Sequence, residues 1–556
     1  MAVVTPIIPA STVADYVIAR IADHGSSHIF GVGGANIEDV YDAINRFGEE
    51  MTGIVAKHEF AAAAMADGYS RNTNRLGVVA ATSGGGALNL IAALGESFDS
   101  RVPVLALVGQ PTKVSEGRGA FQDTSGRAGT IDAEILFAQV SRFCAKPTSG
   151  AQVPELLERA LTSASQGGPA VLLLTKDIQR SGICDLATSM PSATAPEPEP
   201  SVGLDRAEAL IASVDGAVVV IAGPEVARAD ARAELESFAV ALGARVAVAP
   251  DAKDVFRNSH PLFAGVTGIM GHLGVAELIA DASLIVVVGT PLPQTARGGL
   301  DAAFATSRIV HLGSQPPFLE AEISVAGPIG KNLVALAGVV DRRGPIHPDG
   351  PGRPLPLRVP PATGPGVRYS EAIAAISAQL PPGTDVFADA GNTGAAVVHH
   401  LLVPDDGRFV VALGMGGMGY SFGAGIGSAL GRSRRTFVIA GDGSFFMHGL
   451  EVHTAVEYQI PVTFIVFNNN AHGMCLTREQ LYYSGKYTFN TFSRAHIGES
   501  IAALFPGITA RAASTIAEVE LALAETAAAS GPVFISLECD PEEIPPFAPF
   551  LEEFTS

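Results

Sequence analysis

Short runs of β-branched and aliphatic residues, each closed by glycine or a polar turn and followed by an amphipathic stretch, recur along the whole chain. Such runs predict strands buried on both faces, and their alternation with helical stretches predicts parallel sheets. The pattern is clearest over residues 435–474. Residues 436–440 form one apolar run ending at Gly441-Asp442-Gly443, Val452, Ala455 and Val456 recur at helical spacing, Pro461 stops them, and residues 462–467 form a second run. A strand, helix, strand unit of this length is a right-handed crossover, so both strands end at the same sheet edge. Similar strands are predicted at HIFGV before Gly33, at 53–55, before Thr82, and at 217–223 and 284–289, with an Ala-rich helix starting on or just after Glu59. Two Pro-rich stretches, 189–202 and 341–366, lack periodic apolar residues and read as linkers. They divide the chain into residues 1–188, 203–340 and 367–556, each with the pattern of an α/β domain built on a parallel sheet. The similar layout of the three blocks is compatible with an old duplication.

Composition narrows the class. A chain of 556 residues, 47 % hydrophobic and 17 % charged, supplies large buried cores. Its net charge of −20 argues against nucleic acid or an anionic membrane as partner. No apolar run is long enough to span a bilayer, and the first residues lack a basic segment followed by a signal-type core, so a cytoplasmic protein is expected. Cys144, Cys184, Cys475 and Cys539 are scattered without C-x-x-C spacing, which suggests neither a disulfide framework nor a zinc site.

The chemistry concentrates after the two strands of 435–474. Asp442 follows the first and Asn468-Asn469-Asn470 the second, and ligands of open parallel sheets bind at that edge. One carboxylate, one amide oxygen and a main-chain carbonyl make a hard-oxygen set suited to Mg²⁺, through which a phosphate is held. Gly441 and Gly443 let the backbone approach closely, and Gly443, Ser444 and the helix start offer N–H groups and a hydroxyl. Gly-Asp-Gly alone is an ordinary turn; its pairing with the asparagines sets it apart.

GDGSF, the segment with Glu451, Thr454, Ala455 and Val456, Ile460-Pro461-Val462 and NNNAHGM together resemble the magnesium and thiamine-diphosphate motif of the acetohydroxyacid synthase, pyruvate oxidase and benzoylformate decarboxylase superfamily. The resemblance implies three α/β domains that bind pyrimidine, lie centrally, and bind diphosphate. It implies that Asp442, Asn469 and the Ala471 main-chain oxygen hold Mg²⁺, and that Gly391, Asn392 and Thr393 help bind the diphosphate. In LGMGGMGYSFGAG, Met418 would wedge between the cofactor rings and the Gly416 carbonyl would bond the aminopyrimidine. In KHEFAAAAMADGYSR, Glu59 matches the glutamate that bonds the aminopyrimidine, and burial in an apolar setting would tune it for proton transfer. Glu59→Gln is then expected to cripple turnover more than fold. Phe121 and Gln122 resemble the substrate side of acetohydroxyacid synthases; core packing is the rival reading for Phe121. His472 begins a segment similar to the synthases' acceptor region, where Arg478 replaces a tryptophan; a guanidinium there could bind a carboxylate or phosphate, and an ordinary surface arginine is the alternative.

Departures shape the reaction. Ala35 and Thr82 stand where benzoylformate-type decarboxylases carry serine and histidine, and the Phe121 region lacks the His-His pair of pyruvate decarboxylases. Without those proton donors, capture by a second carbonyl is favoured over protonation to an aldehyde. His399-His400, in a helix-like stretch, reads as structural. The middle block has GTPLPQTARG and VHLGSQ where flavin-binding synthases carry their signatures, so no tightly bound FAD is expected. The expected function is a thiamine-diphosphate- and Mg²⁺-dependent carboligase, acetolactate-synthase-like, that decarboxylates a pyruvate-like 2-oxo acid and passes the acyl unit to a second carbonyl. The alternatives are a 2-oxo-acid decarboxylase, a C–C lyase acting on an acyl-CoA or diketone, and a non-catalytic cofactor-binding relative. The resemblance implies a homodimer or homotetramer with active sites at the subunit interface.

Overall fold

The computed structural model describes residues 11–183, 201–340, 354–486 and 489–551. Their strands form three six-stranded sheets in which every pairing is parallel. The first holds β1 His28–Gly31, β2 Thr52–Val55, β3 Gly77–Ala81, β4 Val104–Gln110, β5 Phe143–Ala145 and β6 Pro169–Thr175, in the order β2-β1-β3-β4-β6-β5. The middle sheet holds β7 Val218–Ala222, β8 Arg245–Val248, β9 Phe263–Val266, β10 Leu284–Val288, β11 Ile309–Leu312 and β12 Ile323–Val325, in the order β12-β11-β10-β7-β8-β9. The third holds β13 Asp385–Ala388, β14 Phe409–Val411, β15 Thr436–Gly441, β16 Val462–Asn468, β17 Thr509–Ala513 and β18 Val533–Glu538, in the order β14-β13-β15-β16-β18-β17. The first and third sheets thus share one winding, which the middle sheet does not follow. Strands β4, β6 and β16 are buried at every position, as expected of apolar runs covered by helices on both faces.

The helices that carry or support the site are α1 Glu59–Thr73, α2 Gly85–Asp99, α3 Asn392–His400, α4 Tyr420–Arg432, α5 Asp442–His448, α6 Val452–Glu457 and α7 Gly473–Tyr483. The crossover from β15 to β16, expected as one helix, is two short ones joined by a tight turn, Gly449–Glu451. That turn begins where the Phe445 ring lies against Gly449 and leaves no room for a Cβ. Helix α1 packs on α4 backbone to backbone. A Cβ on Gly427 would sit 1.9 Å from the Met65 carbonyl oxygen, and one on Gly68 2.1 Å from that of Ala424. This contact joins the first unit to the third within one chain.

Of the expected linkers, 189–202 lies outside the described residues up to 200, and 341–366 up to 353. Residues 354–366 form no helix or strand but are docked: the Leu355 carbonyl accepts from Leu273 N–H, Leu357 N–H donates to His399, and Gly364 N–H donates to Asp540. No described helix is long and apolar enough to cross a membrane.

Candidate active site

In the third sheet the chain reverses its direction of travel between β13 and β15, and a cleft opens beyond their carboxyl ends. Pairing of Gly441 with Phe467 puts Asp442 and the asparagine run level with one another. Asp442 is 1 % exposed, and its Oδ2 accepts the Ala471 N–H at 3.2 Å. The same N–H reaches Asn469 Oδ1 at 3.0 Å, so both candidate side-chain ligands converge on one point. No described lysine or arginine pairs with Asp442, and burial pushes its carboxyl up to about 7 against the pull of the Gly443, Ala471 and Asn470 N–H groups. A buried carboxylate without a counter-charge is costly, and a divalent cation would supply that charge. The other two asparagines hold the loop. Asn468 Nδ2 donates to the Ala495 carbonyl and to Glu538, while Asn470, at φ +54, accepts from Ala495 N–H.

The rest of the cleft suits an anion. Gly391, at φ +92 with open space around it, precedes α3, and Asn392 presents a buried Oδ1 with no partner. Thr393, Met418, Gly441, Gly443 and Ser444 line the same walls with Ala471 and His472. His472 stands edge-on to Phe492, its Nδ1 without a partner. The Ser444 hydroxyl donates to Asp389 at 2.6 Å, which leaves its N–H rather than its hydroxyl proton for a bound anion. Gly416, at φ +66, lies two residues ahead of Met418 and does not line the cleft. Arg478 is exposed on α7 over the Tyr482 ring, with no ion pair among the described residues. Asp442 and Asn469, with the main-chain carbonyl of Ala471, could thus supply oxygens to a hard cation, and the N–H groups beside them could meet a phosphate.

Glu59 lies elsewhere. It opens α1 behind the His58 cap, is half-buried, and accepts from Asn89 Nδ2 of α2 at 2.9 Å. Gly86 makes room for it, since a Cβ there would come within 3.0 Å of Glu59 Oε1. Thr82 Oγ1 accepts from Asn36 N–H and donates to Gln122 Oε1, so the hydroxyl at the position discussed for decarboxylases is already committed. Gln122 is held at φ +59, in the sparsely populated left-handed region, against Gly84. Phe121 is 80 % exposed, so core packing does not explain it. No residue of the first unit lines the Asp442 cleft, which encloses only about 50 Å³ within one chain.

Three supporting carboxylates carried no sequence signal strong enough to single them out as site residues. Asp389 accepts from the N–H groups of Ala390, Gly419 and Ser421 and from the Ser421 and Ser444 hydroxyls, tying together three loops of the cleft. Its place just before Gly391 was the only available hint. Glu96 of α2 accepts the Gly414 and Met415 N–H groups and pairs with Arg71 at 3.2 Å. Glu451 belonged to a recognised motif without an assigned role. Larger concavities, of about 560 Å³ around Arg101 and Arg228 and about 530 Å³ around His272 and His399, do not include Asp442 or Asn469, so size does not mark the site.

Comparison with known proteins identifies the family. The chain matches the thiamine pyrophosphate enzyme N-terminal TPP binding domain over residues 11–128, the central domain over 204–336 and the C-terminal TPP binding domain over 389–537. It is 27 % identical to a probable acetolactate synthase large subunit of Methanocaldococcus jannaschii, over 96 % of this chain and 93 % of that protein. It is 25 % identical to the acetolactate synthase isozyme 2 large subunit of Escherichia coli, over 96 % and 97 %. It is 26 % identical to the sulfoacetaldehyde acetyltransferase of Castellaniella defragrans, over 86 % and 84 %. The solved thiamine diphosphate-dependent 4-hydroxybenzoylformate decarboxylase of Rhodococcus jostii RHA1 shares the fold, with a TM-score of 0.79 at 21 % identity over 95 % of this chain and 99 % of that one. With its three units matched in order by the three domains of that family, the chain belongs to the thiamine pyrophosphate enzymes.

Proposed function

We propose that the protein is a thiamine-diphosphate- and Mg²⁺-dependent carboligase that decarboxylates a pyruvate-like 2-oxo acid and joins the acyl unit to a second carbonyl, as an acetolactate synthase does. The observation that carries the cofactor reading is the buried, uncompensated Asp442 converging with Asn469 beside the unpartnered Asn392 oxygen. Bound thiamine diphosphate supplies the nucleophilic carbon and the electron sink for decarboxylation. Asp442, Asn469 and the Ala471 carbonyl would hold its metal, Gly391 to Thr393 and Ser444 its diphosphate, and Met418 its bend. Glu59 would bond its aminopyrimidine and move the activating proton, with Gln122 facing the substrate.

Carboligation is supported at the Glu59 edge, where the Thr82 hydroxyl is committed to Gln122 and no imidazole stands in its place. The unpartnered His472 Nδ1 favours the second reading, simple decarboxylation, because it could protonate a carbanion-like product. We also propose that a second copy completes each site. The enclosed space at Asp442 is far below the about 300 Å³ that small-molecule pockets start from, and it lacks Glu59. Exposed Phe121, Val114 and Ile135 on the first unit and Phe446, Met447 and Leu450 on the third offer apolar surface for that contact.

Purified protein with Mg²⁺, thiamine diphosphate and pyruvate, assayed for acetolactate and acetaldehyde, tests the reading, with Glu59→Gln as control. Acetolactate that disappears in the variant is expected. Acetaldehyde as sole product selects the decarboxylase. If the cofactor binds and pyruvate is untouched, the pyruvate assignment fails, and Arg478 directs the search to acceptors or donors bearing a further anionic group.

A further inference from the structure

Glu451, in the turn between α5 and α6, is 2 % exposed and has no cationic side chain paired with it among the described residues. Its two carboxylate oxygens accept the Lys57 N–H at 3.1 and 3.2 Å, and the Thr454 hydroxyl donates to Oε1 at 2.5 Å. Burial pushes this carboxyl up to about 7, while those donors pull it down. Lys57 and His58 are the two residues before Glu59. Around this contact the Tyr458 hydroxyl accepts Val55 N–H at 3.0 Å, Lys57 Nζ pairs with Glu457 at 2.5 Å, and the His448 ring stacks on Phe60 at 4.3 Å. Residues 55–60, which deliver Glu59, therefore rest on residues 448–458, which lead away from the metal-binding loop of the same chain.

Resting on the reading of Glu59 given above, we propose that Glu451 is a positioning residue that fixes the Glu59 carboxyl by holding the Lys57 N–H two residues ahead of it. The first N–H groups of a helix and its approach have no partners inside the helix. His58 Nδ1 caps Phe60 N–H, and Glu451 takes the Lys57 N–H, which that cap does not reach. The body of α1 is clamped against α4, so an approach that loses its acceptor must turn to find another, and the first residue of the helix turns with it. A misplacement of about 1 Å at a reacting group costs on the order of 100-fold in rate. Glu451 does not line the Asp442 cleft, so cofactor affinity is not expected to follow.

The test uses full-length protein loaded with Mg²⁺ and thiamine diphosphate, as wild type, Glu451→Gln and Glu451→Ala. Glutamine keeps one acceptor oxygen at the same place and guards against a variant that does not fold. Three quantities are read without any 2-oxo acid: hydrogen–deuterium exchange at C2 of the bound cofactor, backbone amide exchange at Lys57, and cofactor affinity by calorimetry. The expected result is C2 exchange slowed about 10-fold in Glu451→Gln and about 100-fold in Glu451→Ala, faster amide exchange at Lys57, and affinity within about twofold of wild type. Unchanged C2 exchange, unchanged amide exchange, or affinity lost in step with C2 exchange would each overturn the proposal. A wild-type protein that binds the cofactor but exchanges C2 no faster than free cofactor would overturn the Glu59 reading and this inference with it. Wild-type acceleration that the Glu451 variants keep sinks the inference alone.

Discussion

At the scale of single residues, the large protonation shifts of imidazoles and carboxyls fall into two opposed sets. Burial holds the imidazoles of His272, His399, His400 and His448 down to about 2, about 4, about 3 and about 4. His399 shows why: Nε2 accepts Leu357 N–H and Nδ1 faces the Met270 carbonyl, an arrangement only the neutral ring satisfies. Below the ordinary value of 6.5 the unfolded chain takes up protons that these folded sites refuse, so their stability is full above 6.5 and falls as pH drops toward the folded values. Asp442, Glu451 and Glu543, pushed up to about 7, act the other way. Between their ordinary values near 4 and about 7 the folded chain keeps protons that the unfolded chain has lost, so falling pH stabilises. Four imidazoles against three carboxyls leave one net proton between about 6.5 and 4.5, a loss of about 1.4 kcal/mol per pH unit as pH falls, and below that carboxylates held down by their partners, such as Glu236 beside Arg257, add to the loss. Urea unfolding of the metal-free protein should therefore show stability falling by about 1.4 kcal/mol per pH unit over the first window and more steeply below it. His400 has no hydrogen-bond partner among the described residues, so His400→Leu removes one proton site without orphaning a donor. The slope below pH 4.5 should become shallower by about 1.4 kcal/mol per pH unit; an unchanged slope would mean that this ring already protonates in the folded state.

At the scale of elements, the packing of α1 on α4 governs how the first unit meets the third. Gly427→Ala would drive a methyl into the Met65 carbonyl, a backbone atom that cannot rotate away. Its expected cost is about 3 kcal/mol, the upper end for overpacking, read as a lowered urea midpoint. Weaker cofactor binding should accompany it, because Glu96 then loses register with Gly414 and Met415. Gly338→Ala, in the helix Ile329–Val340 with open space at its Cβ, should instead stabilise by up to about 1 kcal/mol. Equal effects of the two would mean that helix propensity, not interhelical contact, decides both. Strands such as β3, β7, β10, β15 and β16 were legible from the chain because buried strands are continuous apolar runs, whereas the part-exposed edge strands β5 and β17 were not singled out. The Glu59 helix start and the level of Asp442 with Asn469 were legible because glycine and polar residues close those runs at one edge. Asp389, Glu96 and the role of Glu451 were not, since their partners are N–H groups of distant loops and a main-chain donor leaves no mark in side-chain pattern. The docking of 354–366 was equally hidden, for a Pro-rich strand-free stretch looks the same whether it packs or hangs free.

At the scale of the whole molecule, the chain carries two half-sites that face different surroundings. The cleft at Asp442 is lined by the third unit alone, and the Glu59 half is built from α1, α2 and the loop of Gln122. Among the described residues the halves are joined through structure behind them, including α1 on α4, Glu96 on Met415, and Glu451 on Lys57. If each cofactor is held between the metal half of one copy and the glutamate half of another, Glu59→Gln and Asp442→Ala damage opposite sides of every site. Each variant alone should be inactive, because all of its sites carry the same defect. Mixed by co-expression in equal amounts, half of the dimers pair one variant with the other under random association, and each such dimer places both defects in one site and leaves the second intact. About a quarter of wild-type activity per total protein should return. A site assembled within a single chain would give no recovery at any ratio, because every chain would still bear its own lesion, so the mixture separates the two architectures whichever 2-oxo acid serves as substrate.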